Sequence, residues 1–401
     1  MMSRTTVTQE NPRKGHVLVI GAGATGRGHV AQLAVESGYA VTLLDKDASL
    51  CARLRASESY SVRLVSGHTR TVTIRDFRIL HTSEKEDIFS AFRDSTLVFT
   101  SVCPGNLRDA AAAMRKPFAR WLKAAGPRDF KNVLCCENMN HSSTSFRDHL
   151  LEDFPGELRE KLDRQVGFAD TMVARVIARP ADPLSLLGEE YSEWTADRRA
   201  FRGPDLPEIR TLELVEDQTR FLQRKLYIHN TGHATIGYLG FLKGYTFIHE
   251  AAQDPRIMAI CEKAIEESGW AIEKEYGFPA EVIRAYRAAL TEKCVSPELP
   301  DEILRVVREP VRKLGREERF FGPIGLLLAH GRMPESLLYG VCGALLAHIP
   351  GDEQSARIRA LIREKGVSCL NELTGMTVPA AVRARIESLL PQVQEKFAAR
   401  R

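Results

Sequence analysis

The stretch His16-Val-Leu-Val-Ile20-Gly21-Ala-Gly23-Ala-Thr-Gly26-Arg-Gly28 is a short apolar run that ends in spaced glycines. The apolar run fits a buried strand, and the residues from Gly26 to Ser37 fit a helix. In such a strand–turn–helix unit the three glycines have separate tasks. Gly21 permits the tight turn, Gly23 lets backbone approach a pyrophosphate, and Gly26 lets the helix pack closely on the strand. The helix start offers unpaired N–H groups and a partial positive charge to phosphate. A second apolar run, Ala40–Leu44, ends at Asp45, about twenty residues beyond Gly26. A carboxylate there accepts both ribose hydroxyls of NAD and repels the 2′-phosphate of NADP. The glycines alone serve FAD equally, and Lys46 and Arg53 nearby leave weak NADP use open. NAD is the cofactor that the whole pattern favours.

Outward from this unit, strand-like runs recur at Ser61–Val65, Thr71–Ile74, Phe77–Leu80, Leu97–Ser101 and Val133–Cys136, with an Ala-rich helical stretch at Asp109–Lys123. Gly167–Phe168 and Val173–Ala178 read as edge strands. Strands alternating with helices argue for a mostly parallel, doubly wound sheet. After about Pro207 amphipathic segments dominate, several with proline at or near the start. Leu212–Ile228, Ala234–Leu242, Pro255–Glu275, Pro279–Leu290, Pro300–Lys313, Met333–Ala347, Asp352–Lys365 and Pro379–Ala398 read as helices. The expected architecture is an α/β Rossmann-type doubly wound sheet followed by an all-α C-terminal domain. The divisions expected are a disordered 1–14, a dinucleotide-binding 15–210 and a helical 211–401.

The chain has 401 residues, 27% of them charged, with a formal net charge of +4. Its Lys and Arg are not clustered with aromatics as a nucleic-acid surface requires. No run approaches the roughly 18 apolar residues of a membrane span. The eight cysteines include no C-x-x-C pair, and the first fourteen residues lack the apolar core of a signal peptide. Reduced thiols and a cytoplasmic setting are expected. Cys and His lack zinc-type spacing, so no metal site is expected. No G-x-S-x-G elbow is present.

The chemistry is concentrated in Arg224-Lys225-Leu-Tyr-Ile-His-Asn230-Thr-Gly-His233. Oxidising an alcohol requires removal of the hydroxyl proton, which a lysine of lowered pKa can perform. The alkoxide that develops needs aimed donors, such as an Asn carboxamide. A histidine can bind another hydroxyl and fix the pose. On one ideal α-helix, however, residues five apart point about 140° away from each other. The spacing therefore predicts a kink or break near Asn230–Gly232, with His233 in the first turn of the next helix. Taken singly, Lys225 also fits a surface lysine, Asn230 a helix cap, and His229 or His233 a core residue. Gly237, Gly240 and Gly244 suggest close helix packing.

These blocks together resemble the polyol-specific long-chain dehydrogenases, from about Gly15 to about His348. The resemblance is carried by Gly21–Gly28, Cys136–Met139 (CENM), Tyr191–Trp194 (YSEW), Arg224–Gly240, Glu266–Gly269 (EESG) and Arg308–Leu314 (REPVRKL). It implies a small-molecule polyol or polyol phosphate as substrate, metal-independent hydride transfer, a site in the cleft between the two domains, and a monomer or small homo-oligomer. It implies Lys225 as general base, Asn230 and Asn138 as the oxyanion-stabilising pair, and His233 as a substrate ligand. Asn138 also follows the carboxyl end of a strand, where open α/β sheets bind ligands. Two departures touch sugar recognition. Ala174 stands before Arg175 where relatives often carry Asp, and Lys293 stands where they carry Arg, losing the bidentate fork. Lys293 and Arg175 remain the candidate substrate cations, with Arg179, Arg224 and Arg312 as further candidates for a phosphate. A hexitol phosphate, a free hexitol, and a non-catalytic NAD-binding regulator are the three readings this leaves.

Overall fold

The computed structural model describes residues 3–6, 13–65, 69–178, 182–298 and 300–398. The chain divides into two compact units, Met1–Leu222 and Gln223–Arg401.

The first unit carries strands β1 (Ser3–Thr6), β2 (Gly15–Ile20), β3 (Tyr39–Asp45), β4 (Tyr60–Val65), β5 (Thr69–Ile74), β6 (Phe77–His81), β7 (Leu97–Thr100) and β8 (Lys131–Cys135). Beyond them come β9 (Val166–Ala174), β10 (Ile177–Ala178), β11 (Ser185–Glu189), β12 (Glu193–Asp197) and β13 (Leu212–Val215). The main sheet runs β13-β12-β9-β8-β7-β2-β3-β6. From β6 to β9 every pairing is parallel. This stretch has the doubly wound order 3-2-1-4-5-6, and its direction reverses between β2 and β7. Alternate residues face opposite layers. Val17 and Val19 join one apolar cluster, and Leu18 and Ile20 join the other. Cys136 and Cys135 divide in the same way.

The sequence reading needs three corrections here. First, Thr71–Ile74 and Ser61–Val65 do not extend the main sheet. They belong to a second sheet, β1-β5-β4-β11-β10, which packs on the first helix. A Cβ on Gly28 of that helix would stand 2.7 Å from Ile177 Cγ2. Second, Ser3–Thr6 lies within the segment expected to be disordered, yet it pairs in parallel with Arg70–Thr73 on an otherwise open sheet edge. The rest of that segment up to residue 12 lies outside the described residues, as does Arg179. Third, Leu212–Val215 is a strand rather than the start of a helix. Its Leu-Glu-Leu-Val alternation has period two, and it pairs with β12, so the first unit continues past residue 210.

The second unit is helical. Thr231–Lys243 is buried over most of its length and packs against Pro255–Tyr276, Leu337–Leu346 and Ile303–Val307. Gly237 and Gly240 leave no room for a Cβ beside Val306 and Ala251. The expected helix Pro300–Lys313 is split, because Glu309 adopts φ 58° and Pro310 starts a new turn. Phe321–Ala329 forms a further helix that the sequence reading omitted. Among the described residues, no helix is long and apolar enough to cross a membrane. All eight cysteines are free, and Cys103 alone is exposed.

The EESG block has a structural role. Glu267 is buried and accepts the N–H groups of Glu335 (3.1 Å), Ser336 (2.9 Å) and Leu337 (3.0 Å) at the start of helix Leu337–Leu346. A carboxylate at a helix N-terminus satisfies orphan donors and complements the dipole. Glu267→Ala should therefore lower the unfolding free energy by about 2 kcal/mol or more, with Glu267→Gln falling between. Urea unfolding followed by circular dichroism measures this, and an unchanged midpoint would refute the role.

Candidate active site

At the reversal point of the first unit, the chain leaves β2 through Gly21, which has φ 101°. A Cβ there would lie 2.3 Å from the Ser101 carbonyl oxygen after β7, so no other residue fits. A Cβ on Gly26 would lie 1.9 Å from the Gly21 carbonyl, and the helix begins at Gly26. Gly23 is half-buried between them. Arg27 Nε donates to the Ala22 carbonyl at 2.6 Å and locks the turn. Asp45 closes β3. Its two oxygens accept the N–H groups of Ala22 (2.7 Å) and Asp47 (2.9 Å). An ionised carboxylate offers about four lone-pair positions, which leaves capacity for two hydroxyls. A cradle with no space for side chains, a helix start and a carboxylate fit a dinucleotide. Lys46 and Arg53 are engaged elsewhere, Lys46 with Asn106 at 2.8 Å and Arg53 with Asp182 at 3.1 Å.

At the carboxyl end of β8, Glu137 is buried and accepts from Thr100 Oγ1 (2.6 Å) and Val102 N–H (3.0 Å). This anchors the loop, and the next residue, Asn138, is exposed. Arg175 is committed within the first unit. Its Nε donates to the Glu189 carbonyl at 2.6 Å, and Nη1 donates to Gln32 Oε1 at 2.7 Å. It ties the first helix to the small sheet.

In the second unit, Lys225–Asn230 forms a π-helical turn that passes directly into Thr231–Lys243. The expected break is thus a change of helical pitch rather than an interruption. A π turn closes i to i+5, so residues five apart stack along the axis. This brings Lys225 and Asn230 toward one face, which an ideal α-helix would not do. Lys225 is 8% exposed. Burial, then the charges of Arg319 and Lys293, lower its amine to about 7. Thr231 Oγ1 donates to the Arg319 carbonyl, which holds that arginine against the turn. Lys293 Nζ lies 3.1 Å from His229 Nε2. His229 is held far below its usual range, mainly by burial and next by Lys293, so its neutral ring accepts from the ammonium. His233 is in the first turn of the following helix, with Nε2 3.0 Å from Asp301 Oδ2. Two further arginines considered for a phosphate are engaged otherwise. Arg224 lies over the Tyr286 ring at 4.5 Å, and Arg312 bonds Glu318 at 3.0 Å.

Lys225, Asn230, His233 and Lys293 therefore share one neighbourhood in the second unit, while Arg175, Asn138 and the glycine turn belong to the first. The sequence reading missed Arg319 and Asp301. No local spacing marked them, because Arg319 reaches Lys225, and Asp301 reaches His233, only through the tertiary fold.

Residues 15–209 match the mannitol dehydrogenase Rossmann domain, and residues 217–376 match the mannitol dehydrogenase C-terminal domain. The chain belongs to the mannitol dehydrogenase family. It is 31% identical over 387 residues to a mannitol-1-phosphate 5-dehydrogenase of Caldanaerobacter subterraneus subsp. tengcongensis, covering 95% of this chain and 99% of that relative. Its fold resembles that of Pseudomonas fluorescens mannitol 2-dehydrogenase, solved as a ternary complex with NAD and D-mannitol. The TM-score is 0.80 at 17% identity, covering 99% of this chain and 95% of the other. A D-sorbitol dehydrogenase solved in substrate-free form gives a TM-score of 0.77 at 15% identity, covering 96% and 94%. The family agrees with the one the sequence blocks resemble, and the chain is a polyol dehydrogenase of that family.

Lys293→Met removes one of the two cations that disfavour the charged form of Lys225. The Lys225 amine should then titrate above its present value of about 7. Lysine ε-carbon NMR titration, assigned with Lys225→Met, reads this directly. An unmoved titration would show that the Lys293 charge does not act on Lys225.

Proposed function

We propose that this chain is an NAD-dependent dehydrogenase that oxidises a secondary CH–OH of a hexitol phosphate, mannitol 1-phosphate being the leading substrate, to the corresponding ketose phosphate. The observation that carries the proposal is the buried Lys225 amine, lowered to about 7, in a π turn that also presents Asn230. The cofactor is assigned to the glycine turn and Asp45, and the proton chemistry to the second unit. Bound NAD supplies the hydride acceptor. Lys225, neutral above about pH 7, takes the hydroxyl proton. The Asn230 carboxamide donates to the oxygen as negative charge develops there. Asn138 is assigned as a second carboxamide donor, and His233 as the group that holds another hydroxyl. The phosphate preference draws on two supports. One is the name of the curated relative. The other is the pair of cations beside Lys225, Arg319 and Lys293, which Glu318 opposes.

A second reading is favoured by specific observations. Arg175 is committed to Glu189 and Gln32, and Lys293 engages His229. A site with few available cations suits an unphosphorylated hexitol such as D-mannitol or D-altritol.

The test follows NADH absorbance at alkaline pH with pentitols, hexitols and their phosphates. Preference for mannitol 1-phosphate supports the first reading, equal use of phosphorylated and free hexitols selects the second, and no turnover with NADH binding intact rejects both. Because the base must be uncharged, kcat/KM should rise with pH through about 7 and level above it. Lys225→Ala should cut turnover on the order of 100-fold or more with NADH affinity nearly unchanged. Retained turnover would remove Lys225 as the base. Asp45→Ala should weaken NAD binding selectively, and tighter binding of NADP than NAD by the unaltered protein would overturn the cofactor assignment.

A further inference from the structure

No sequence motif marks Asp301, yet it is held from several sides. Arg305 Nε donates to its Oδ1 at 2.6 Å. The Asp301 carbonyl accepts from Ile248 N–H at 2.9 Å, and Ile303 N–H donates to the Thr246 carbonyl at 2.9 Å. Between them, Glu302 forms an antiparallel bridge with Phe247. The carboxylate thus reaches His233 with its backbone and side chain both fixed. It is largely buried there, with its side chain 11% exposed and that of His233 18%.

An ionised carboxylate can only accept hydrogen bonds, so the His233 nitrogen that faces it must carry a proton. Burial holds the His233 imidazole below its usual value, with Asp301 opposing. The neutral ring then has its one N–H at Nε2 and a lone pair at Nδ1. Nδ1 lies on the other side of the ring from Nε2 and so points away from Asp301. The charged groups facing the ring are Asp301, Arg305 and Lys293, and the His229 ring lies 6.0 Å away.

We propose that Asp301 is a positioning residue that fixes His233 as the Nε2–H tautomer, so that Nδ1 accepts a hydrogen bond from a substrate hydroxyl. The proposal rests on the reading of His233 as a polyol ligand. It defines the recognition chemically. An accepting nitrogen distinguishes a hydroxyl from a methyl ether or a deoxy carbon, because neither of those can donate. The Arg305–Asp301–His233 chain serves binding and pose, while proton removal stays with Lys225.

Long-range proton–nitrogen NMR of the unaltered protein at mildly alkaline pH tests the tautomer, a variant serving only to assign the signal. The His233 signal, assigned by its loss in His233→Gln, should show the Nε2–H pattern; the Nδ1–H pattern overturns the proposal. In kinetics, Asp301→Asn should raise KM for the preferred polyol about tenfold and change kcat much less. Asp301→Ala should add nothing to the KM defect of His233→Ala, as for two residues acting through one contact. An Asp301→Ala penalty that persists in the His233→Ala background, together with a lowered melting temperature, would show a packing role only and sink the idea. If His233→Ala leaves KM unchanged, the assignment of His233 to substrate fails, and this inference fails with it. If no polyol is turned over at all, the proposed function fails, whereas the tautomer measurement still decides how Asp301 and His233 are paired.

Discussion

Taking an ammonium group out of water costs several kcal/mol, and a partner of opposite charge must offset that cost if the group is to remain charged. Lys225 is buried, and the two strongest charges acting on it are positive. Glu318 opposes them, and that carboxylate already bonds Arg312 and Arg319. The outcome is an amine that gives up its proton near neutrality. The surrounding structure serves to keep that arrangement from relaxing. Thr231 pins the Arg319 backbone, Lys293 leans on His229, and the helix that follows packs closely at Gly232, Gly237 and Gly240. A π turn weakens the regular hydrogen-bond ladder, and such a turn persists only where its surroundings hold it. Here it is continuous with a helix buried along most of its length.

The two units contribute different physics. The first offers backbone: a strand order that reverses between β2 and β7, a turn without side chains, and a carboxylate already oriented by two N–H groups. The second offers side chains whose ionisation is set by burial and by one another. The small sheet stiffens the first unit. Arg175 and Arg27 fasten the opening helix to it, and Tyr60 donates to the Arg27 carbonyl at 3.1 Å.

The parts that could be read from sequence were those fixed by local geometry. The glycine turn shows in the spacing of its glycines directly after an apolar run, and Asp45 shows as the acidic end of the next such run, although the contacts that demand Gly21 come from Ser101. The Lys225–Asn230 spacing conflicts with an α-helix, and that conflict alone implied a helical irregularity. Other parts are decided by contacts distant in sequence. Leu212–Val215 is only four residues long, so its period-two pattern is too short to stand out until it pairs with β12. The division of the strands into two sheets was invisible for the same reason, since β4 pairs with β11 across much of the first unit. Arg175 has the sequence neighbourhood of a substrate cation, but its partners Gln32 and Glu189 come from elsewhere in the fold. Asp301 and Arg319 matter through what they touch, and nothing in their neighbours announces it.

The distribution of thiols has a practical corollary. Seven of the eight cysteines are buried, and Cys103 stands exposed in the loop after β7, two residues beyond the Ser101 carbonyl that seats Gly21. A gentle maleimide reaction on native protein therefore attaches a dye at one place, beside the glycine turn, with no cysteine-free background to engineer. The protein comes with a built-in reporter position on its cofactor-binding half.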